Sequence, residues 1–115
     1  MRPKVFFSYT TRDGFIDAEL MKELNSRLSP LFSIFIDLIH NDSEKKQERV
    51  LSEVRCSNYL VVLNTPLIEK SDWVKIEVDE AKKLGIPVLY TELIKHNDLE
   101  KNLNDIIQFI SRTIK

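Results

Sequence analysis

The chain has 115 residues, with 17 Lys and Arg against 18 Asp and Glu and a formal net charge of -1 at pH 7. That length makes one domain spanning 1–115, able to bury roughly two thirds of its unfolded surface around a single core, and the balanced charge gives no pull toward a phosphate backbone or an acidic membrane, so neither is expected as a partner. One cysteine, Cys56, excludes an internal disulfide, and with no leader and no apolar run of about 18 residues the expected location is cytoplasmic.

KVFFSY, Lys4 to Tyr9, is an aromatic and β-branched run that predicts a first strand, broken by the loop Thr10-Thr11-Arg12-Asp13-Gly14. Leu20, Met21, Leu24 and Leu28 recur at helical spacing, and the stripe stops at Ser29-Pro30 because proline disfavours helix in the residue before it. Leu31 to Ile39 has the density of a buried strand. Asn41, Asp42 and Ser43 then offer N-caps for a helix whose stripe is Val50, Leu51 and Val54. NYLVVLN, Asn58 to Asn64, is the third strand, and SDWVKIEVDEAKKLG predicts a helix from Ser71 to the glycine stop at Gly85. Ile86 to Thr91 is the fourth strand. Leu99, Leu103, Ile106, Ile107 and Ile110 mark a closing helix.

Strands alternating with helices of this length predict βαβ units with right-handed crossovers. The expected class is α/β, a flavodoxin-like three-layer sandwich on a parallel sheet of four strands in the order 2-1-3-4. A fifth strand has only about seven residues before Asp98 to occupy, too few for another strand and its usual helix. Ligands of such folds sit beyond the carboxyl ends of the strands, where the strand order reverses, so the bordering loops are Tyr9 to Gly14 and Asn64 to Ser71.

Familiar chemistries of the fold are excluded residue by residue. A phosphorylated receiver needs an acidic cluster after the first strand and an aspartate ending the third, where this chain has Ser8-Tyr9-Thr10 and Asn64. SYTTRDG matches a flavin phosphate loop only in part. Gly14 and Gly85 are the only glycines, so no glycine-rich phosphate cradle exists, and His40, His96 and Cys56 are too dispersed for a metal constellation. On the helix from Ser71, Val74, Val78 and Ala81 form the buried stripe, with Glu77 at its margin and Trp73 one turn earlier. A carboxylate so placed beside an indole is a candidate catalytic group.

Together these segments resemble the Toll/interleukin-1 receptor (TIR) domain family. VFFSYTTRDG is similar to the strand and loop that open those domains, FIDLIHND to their second strand and following loop, and RCSNYLVVLNTPLIEKSDW to the strand and loop before the helix. SDWVKIEVDEA is similar to the helix of the NAD⁺-cleaving members, in which a glutamate four residues after a tryptophan is the catalytic carboxylate. The resemblance implies cleavage of the nicotinamide-ribose bond of NAD⁺ as substrate, with no cofactor and no metal, giving ADP-ribose or a cyclic relative in immune or stress signalling. It implies Glu77 as the catalytic residue, with Trp73, Ser8, Tyr9, Thr10 and Arg12 binding substrate and Arg12 meeting the diphosphate. It further implies self-association, a neighbouring copy's loop around Asn41 completing the site, and a downstream effector protein.

Plainer readings stand beside these. On the residues alone Trp73 fits a core-edge aromatic, Glu77 a solvated carboxylate paired with Lys75, and Arg12 a surface charge. The loop from Leu38 to Lys46 lacks the proline-glycine box of receptor-type members. The alternative function is therefore a non-enzymatic signalling adaptor that works by self-association, and a nucleoside deoxyribosyl-transfer relative is a third reading, without identifiable nucleobase-binding residues.

Overall fold

The computed structural model describes residues 2–12, 14–40, 44, 46–93 and 98–114. Asp13, the three candidate caps Asn41, Asp42 and Ser43, and His96 lie outside the described residues. Four strands, β1 (Lys4–Ser8), β2 (Ser33–Phe35), β3 (Tyr59–Asn64) and β4 (Val88–Glu92), form one parallel sheet in the order β2-β1-β3-β4. The helices are α1 (Ala18–Leu28), the short α2 (Asp37–His40), α3 (Lys46–Arg55), α4 (Asp72–Lys83) and α5 (Leu99–Thr113), with a 3-10 turn at Ile68–Lys70. This is the α/β, flavodoxin-like arrangement expected from the alternation of patterns.

The period-two alternation of the strands divides the core into two layers. On one face Val5, Phe7, Val61 and Leu63 pack under α1 and α5 through Leu20, Met21, Leu24, Leu103, Ile106 and Ile110. On the other, Phe6, Leu60 and Val62 pack under α3 and α4 through Val50, Val54, Val74 and Ala81. Phe6 stacks on Phe35 with ring centroids 5.3 Å apart. Right-handed crossovers place the first and last long helices, α1 and α5, on one face and the middle pair, α3 and α4, on the other. Each long helix whose start is described has a side-chain cap: Asp17 accepts from Leu20 N–H at 2.9 Å, Ser71 from Val74 N–H at 3.3 Å and Asp98 from Lys101 N–H at 2.8 Å.

The second strand is shorter than the apolar run suggested. It covers Ser33–Phe35 rather than Leu31 to Ile39, and the chain turns into α2 at Asp37. β2 is an edge strand paired only with β1, from Lys4↔Ser33 to Phe6↔Phe35, so little ladder holds the run extended. Beyond it Ile36 is buried in the α1/α5 layer, and the turn closes by His40 N–H donating to the Ile36 carbonyl at 2.8 Å and Ile36 N–H donating to His40 Nδ1 at 2.9 Å. A short apolar run buried in this way has no periodicity that separates strand from helix. No fifth strand is present among the described residues.

At the end of α4, Gly85 has φ +73, its N–H donates to the Lys82 carbonyl at 3.1 Å and the Ile86 N–H donates to the Ala81 carbonyl at 2.9 Å. These are the paired bonds of a left-handed helix stop. A Cβ there would meet nothing within 4 Å, so only the backbone conformation opposes a side chain. Gly85→Ala is expected to lower stability by about 1 kcal/mol, read by urea denaturation, whereas an unchanged midpoint would show that the cap conformation carries no cost.

Candidate active site

β1 ends at Ser8, which is 1% exposed, and α4 crosses the sheet with Val74 and Ala81 turned inward. At about 100° per residue, Glu77 falls on the flank of α4 nearer β1. There the Ser8 hydroxyl donates to Glu77 Oε1 at 2.6 Å, a bond between residues 69 positions apart in sequence. Glu77 itself is 8% exposed. The surrounding burial raises its pKa from 4.5 to about 7; the Ser8 hydrogen bond acts the other way, and the negative charge of Asp37 adds to the rise.

Above this pair opens a cavity of about 390 Å³. Its lining comes from four pieces of chain: Tyr9, Thr10, Thr11 and Arg12 after β1, Asp37 after β2, Gln47 and Val50 on α3, and Ser71, Trp73 and Glu77 at the start of α4. These are the carboxyl-end loops of the sheet, as the fold's topology requires. Trp73 is 37% exposed and presents an aromatic wall to the pocket. Arg12 Nη1 donates to the Lys70 carbonyl at 3.2 Å, which holds the guanidinium at the rim beside the 3-10 turn, and Arg12 N–H donates to Thr10 Oγ1 at 3.3 Å.

Tyr9, Thr10, Arg12, Trp73 and Glu77, all singled out in the sequence, therefore line one pocket. Ser8 stands behind it, its hydroxyl engaged by Glu77, and is placed to orient the carboxylate rather than to meet a ligand. Ser71 closes the bordering loop expected from the sequence, whereas Asp37, Gln47 and Val50 were not pointed to as lining. Asp37 was concealed by reading its segment as strand; its position immediately past the carboxyl end of β2 is the signal that would have found it. Glu80, by contrast, pairs with Arg55 at 3.2 Å on the surface.

Among the described residues no group of three or more His, Cys, Asp or Glu is arranged to hold a metal ion, and no helix is long and apolar enough to cross a membrane. No family model matches the chain, and no curated protein matches it.

Burying a carboxylate has a pH-dependent cost. Because the folded-state pKa lies above 4.5, the folded protein holds a proton that the unfolded chain has released between about pH 4.5 and 7. The contribution to stability is complete below that window and lost as pH rises through it, reaching about 3 kcal/mol of penalty. Glu77→Gln has no charge to bury. Its stability advantage over the wild type is expected to be near zero at about pH 4 and to grow to about 3 kcal/mol at about pH 8; urea titrations at three pH values measure it, and a margin that does not change with pH would contradict the burial of an ionisable Glu77.

Proposed function

We propose that this pocket cleaves the nicotinamide-ribosyl bond of NAD⁺, releasing nicotinamide and ADP-ribose or a cyclic ADP-ribose, in the service of immune or stress signalling. The observation that carries the reading is the buried Glu77 carboxylate, held by Ser8 under an open pocket with an indole wall and an arginine at its rim. The bond to be broken is unusual in needing no proton donor. Nicotinamide is bound as a cationic pyridinium and departs with the bonding electron pair as a neutral molecule, so the second carboxyl group of an ordinary glycosidase has no task. What remains is positive charge developing at the ribosyl C1′ and ring oxygen. An ionised Glu77 beside that carbon stabilises it, an effect of the kind worth about 10²- to 10³-fold per group. Water attack at C1′ with loss of its proton gives ADP-ribose; attack by a nucleophile of the adenine end gives the cyclic product.

The raised pKa fits this task rather than opposing it. The substrate brings a positive charge next to Glu77, and that charge draws the carboxyl group back toward the ionised form on binding. Trp73 offers a face for the nicotinamide or ribose, Tyr9 and Thr10 border the ribosyl region, and Arg12 reaches the diphosphate at the rim, where paired N–H donors suit its oxygens. Self-association belongs to the same reading: the loop around Asn41 of a neighbouring copy closes the open side of the pocket and excludes water. An adaptor acting by self-association is the reading that remains if no cleavage occurs.

Incubation with NAD⁺ and chromatography of released nicotinamide is the test. Glu77→Gln is expected to lower turnover by about 10² or more, whereas Glu80→Gln leaves it unchanged. For the free enzyme kcat/KM is expected to rise with pH up to about 7 and then level, because Glu77 must be ionised. No nicotinamide from the wild type at high protein concentration, or equal rates for the two variants, would overturn the reading. If a neighbour's loop completes the site, specific activity rises with protein concentration; activity that stays flat on dilution removes that part alone.

A further inference from the structure

β4 is the other edge of the sheet. The Leu60 N–H donates to the Pro87 carbonyl at 2.9 Å and the Leu93 N–H to the Asn64 carbonyl at 3.1 Å, bracketing a parallel register from Leu60↔Val88 to Asn64↔Glu92. In a parallel ladder alternate residues bond to a given neighbour. Residues 87, 89, 91 and 93 therefore face β3, and the backbone N–H and C=O groups of Val88, Tyr90 and Glu92 point to the open side, where no strand stands among the described residues. Exposed edges are usually blunted by lysine, proline or a bulge. VLYTE has neither lysine nor proline, its one charge is Glu92 at the end of the strand, and Tyr90 is 51% exposed.

Beside Tyr90, on the flank of α4 away from Glu77, runs a groove of about 460 Å³. Its floor is Val62, Ile68, Val74 and Val78, and Lys75 and Asp79 stand at its rim. Neither Lys75 nor Asp79 has an ion pair among the described residues.

We propose that this edge pairs with the same edge of a second copy, antiparallel, about a twofold axis through Tyr90. The surface is complementary to itself. Val88 of one copy meets Glu92 of the other and Tyr90 meets Tyr90, and at each such pair both N–H groups donate to the facing carbonyls. An axis perpendicular to the sheet keeps both tyrosines on the α4 face, side by side over the two grooves. Lys75 and Asp79 both line the groove beside Tyr90 and stand one turn apart on α4, which runs antiparallel to β4, so a twofold axis passing between their levels sets Lys75 of each copy opposite Asp79 of the other. With α4 over β3, the two α4 axes stand about three strand spacings apart, ~14 Å, a gap that the tyrosine rings fill and a lysine-aspartate pair spans. Association of this kind is isologous and closes as a dimer. It is independent of the reaction proposed for the pocket.

Sedimentation velocity over about 1 to 500 μM, a range set by interfaces of ordinary affinity, tests it with three variants checked for folding by circular dichroism. The wild type is expected to show a monomer-dimer equilibrium. Lys75→Asp turns two attractions into repulsions and weakens it about tenfold or more. Adding Asp79→Lys exchanges the charges and restores the dimer to within about threefold of the wild type. Tyr90→Pro removes an N–H that its own sheet does not use and abolishes dimerisation. A wild type that is monomeric throughout, a charge reversal without effect or without rescue, or a dimer that persists in Tyr90→Pro would overturn the proposal.

Discussion

The hydrogen bond from Ser8 to Glu77 joins the end of the central strand to the middle of a helix on the α3/α4 face, and the site is built around it. A carboxylate at that depth is stable only because one oxygen has a donor and because the residue stands at the edge of a cavity rather than inside the packed layer. Replace either condition and the group would be an unpaired buried polar residue, the kind of feature that sheets and helices otherwise exclude. The helix is held in register for this contact from both ends: Ser71 caps its first turn and Gly85 ends its last. Between them, Val74 and Ala81 seat the helix on Val62 and Leu60, so that Glu77 reaches β1.

From that contact follows a conflict between stability and chemistry. Burial pushes the carboxyl group toward its neutral form near neutral pH, and Asp37 across the cavity pushes in the same direction. Under the proposed function a cation entering beside Glu77 offsets both effects, so charge would select the ligand before shape. Arg12, tied to the Lys70 carbonyl at the rim, adds the opposite preference at the outer end. On that reading the two together suit a ligand that is cationic at its buried end and anionic at its exposed end, the charge arrangement of the proposed substrate NAD⁺.

Much of this was legible in the residues. The period-two runs gave β1, β3 and β4, the helical stripes gave α1, α4 and α5, and their alternation required a parallel sheet with β1 inside it. The Trp73/Glu77 spacing marked the helix whose start lines the pocket. What could not be read was pairing over distance. Nothing in the sequence couples Ser8 to Glu77, because the bond depends on the register of α4 over the sheet, and that register is set by many small apolar contacts at once. The turn at Asp37 was hidden for a different reason: Ile36 and its neighbours are buried equally well by a strand or by a helix start. That β4 has no second strand neighbour among the described residues is likewise a property of what does not pair with it.

The central claim is that Glu77 is a buried carboxyl group poised to ionise when a cationic ligand arrives. Side-chain carboxyl ¹³C NMR titration of Glu77, in the free protein and with a non-hydrolysable carbocyclic NAD⁺ analogue, measures this directly. The expected result is a pKa of about 7 in the free protein that falls clearly when the analogue is bound. A free-protein value in the ordinary carboxylate range, or one that the analogue leaves unmoved, would contradict the account.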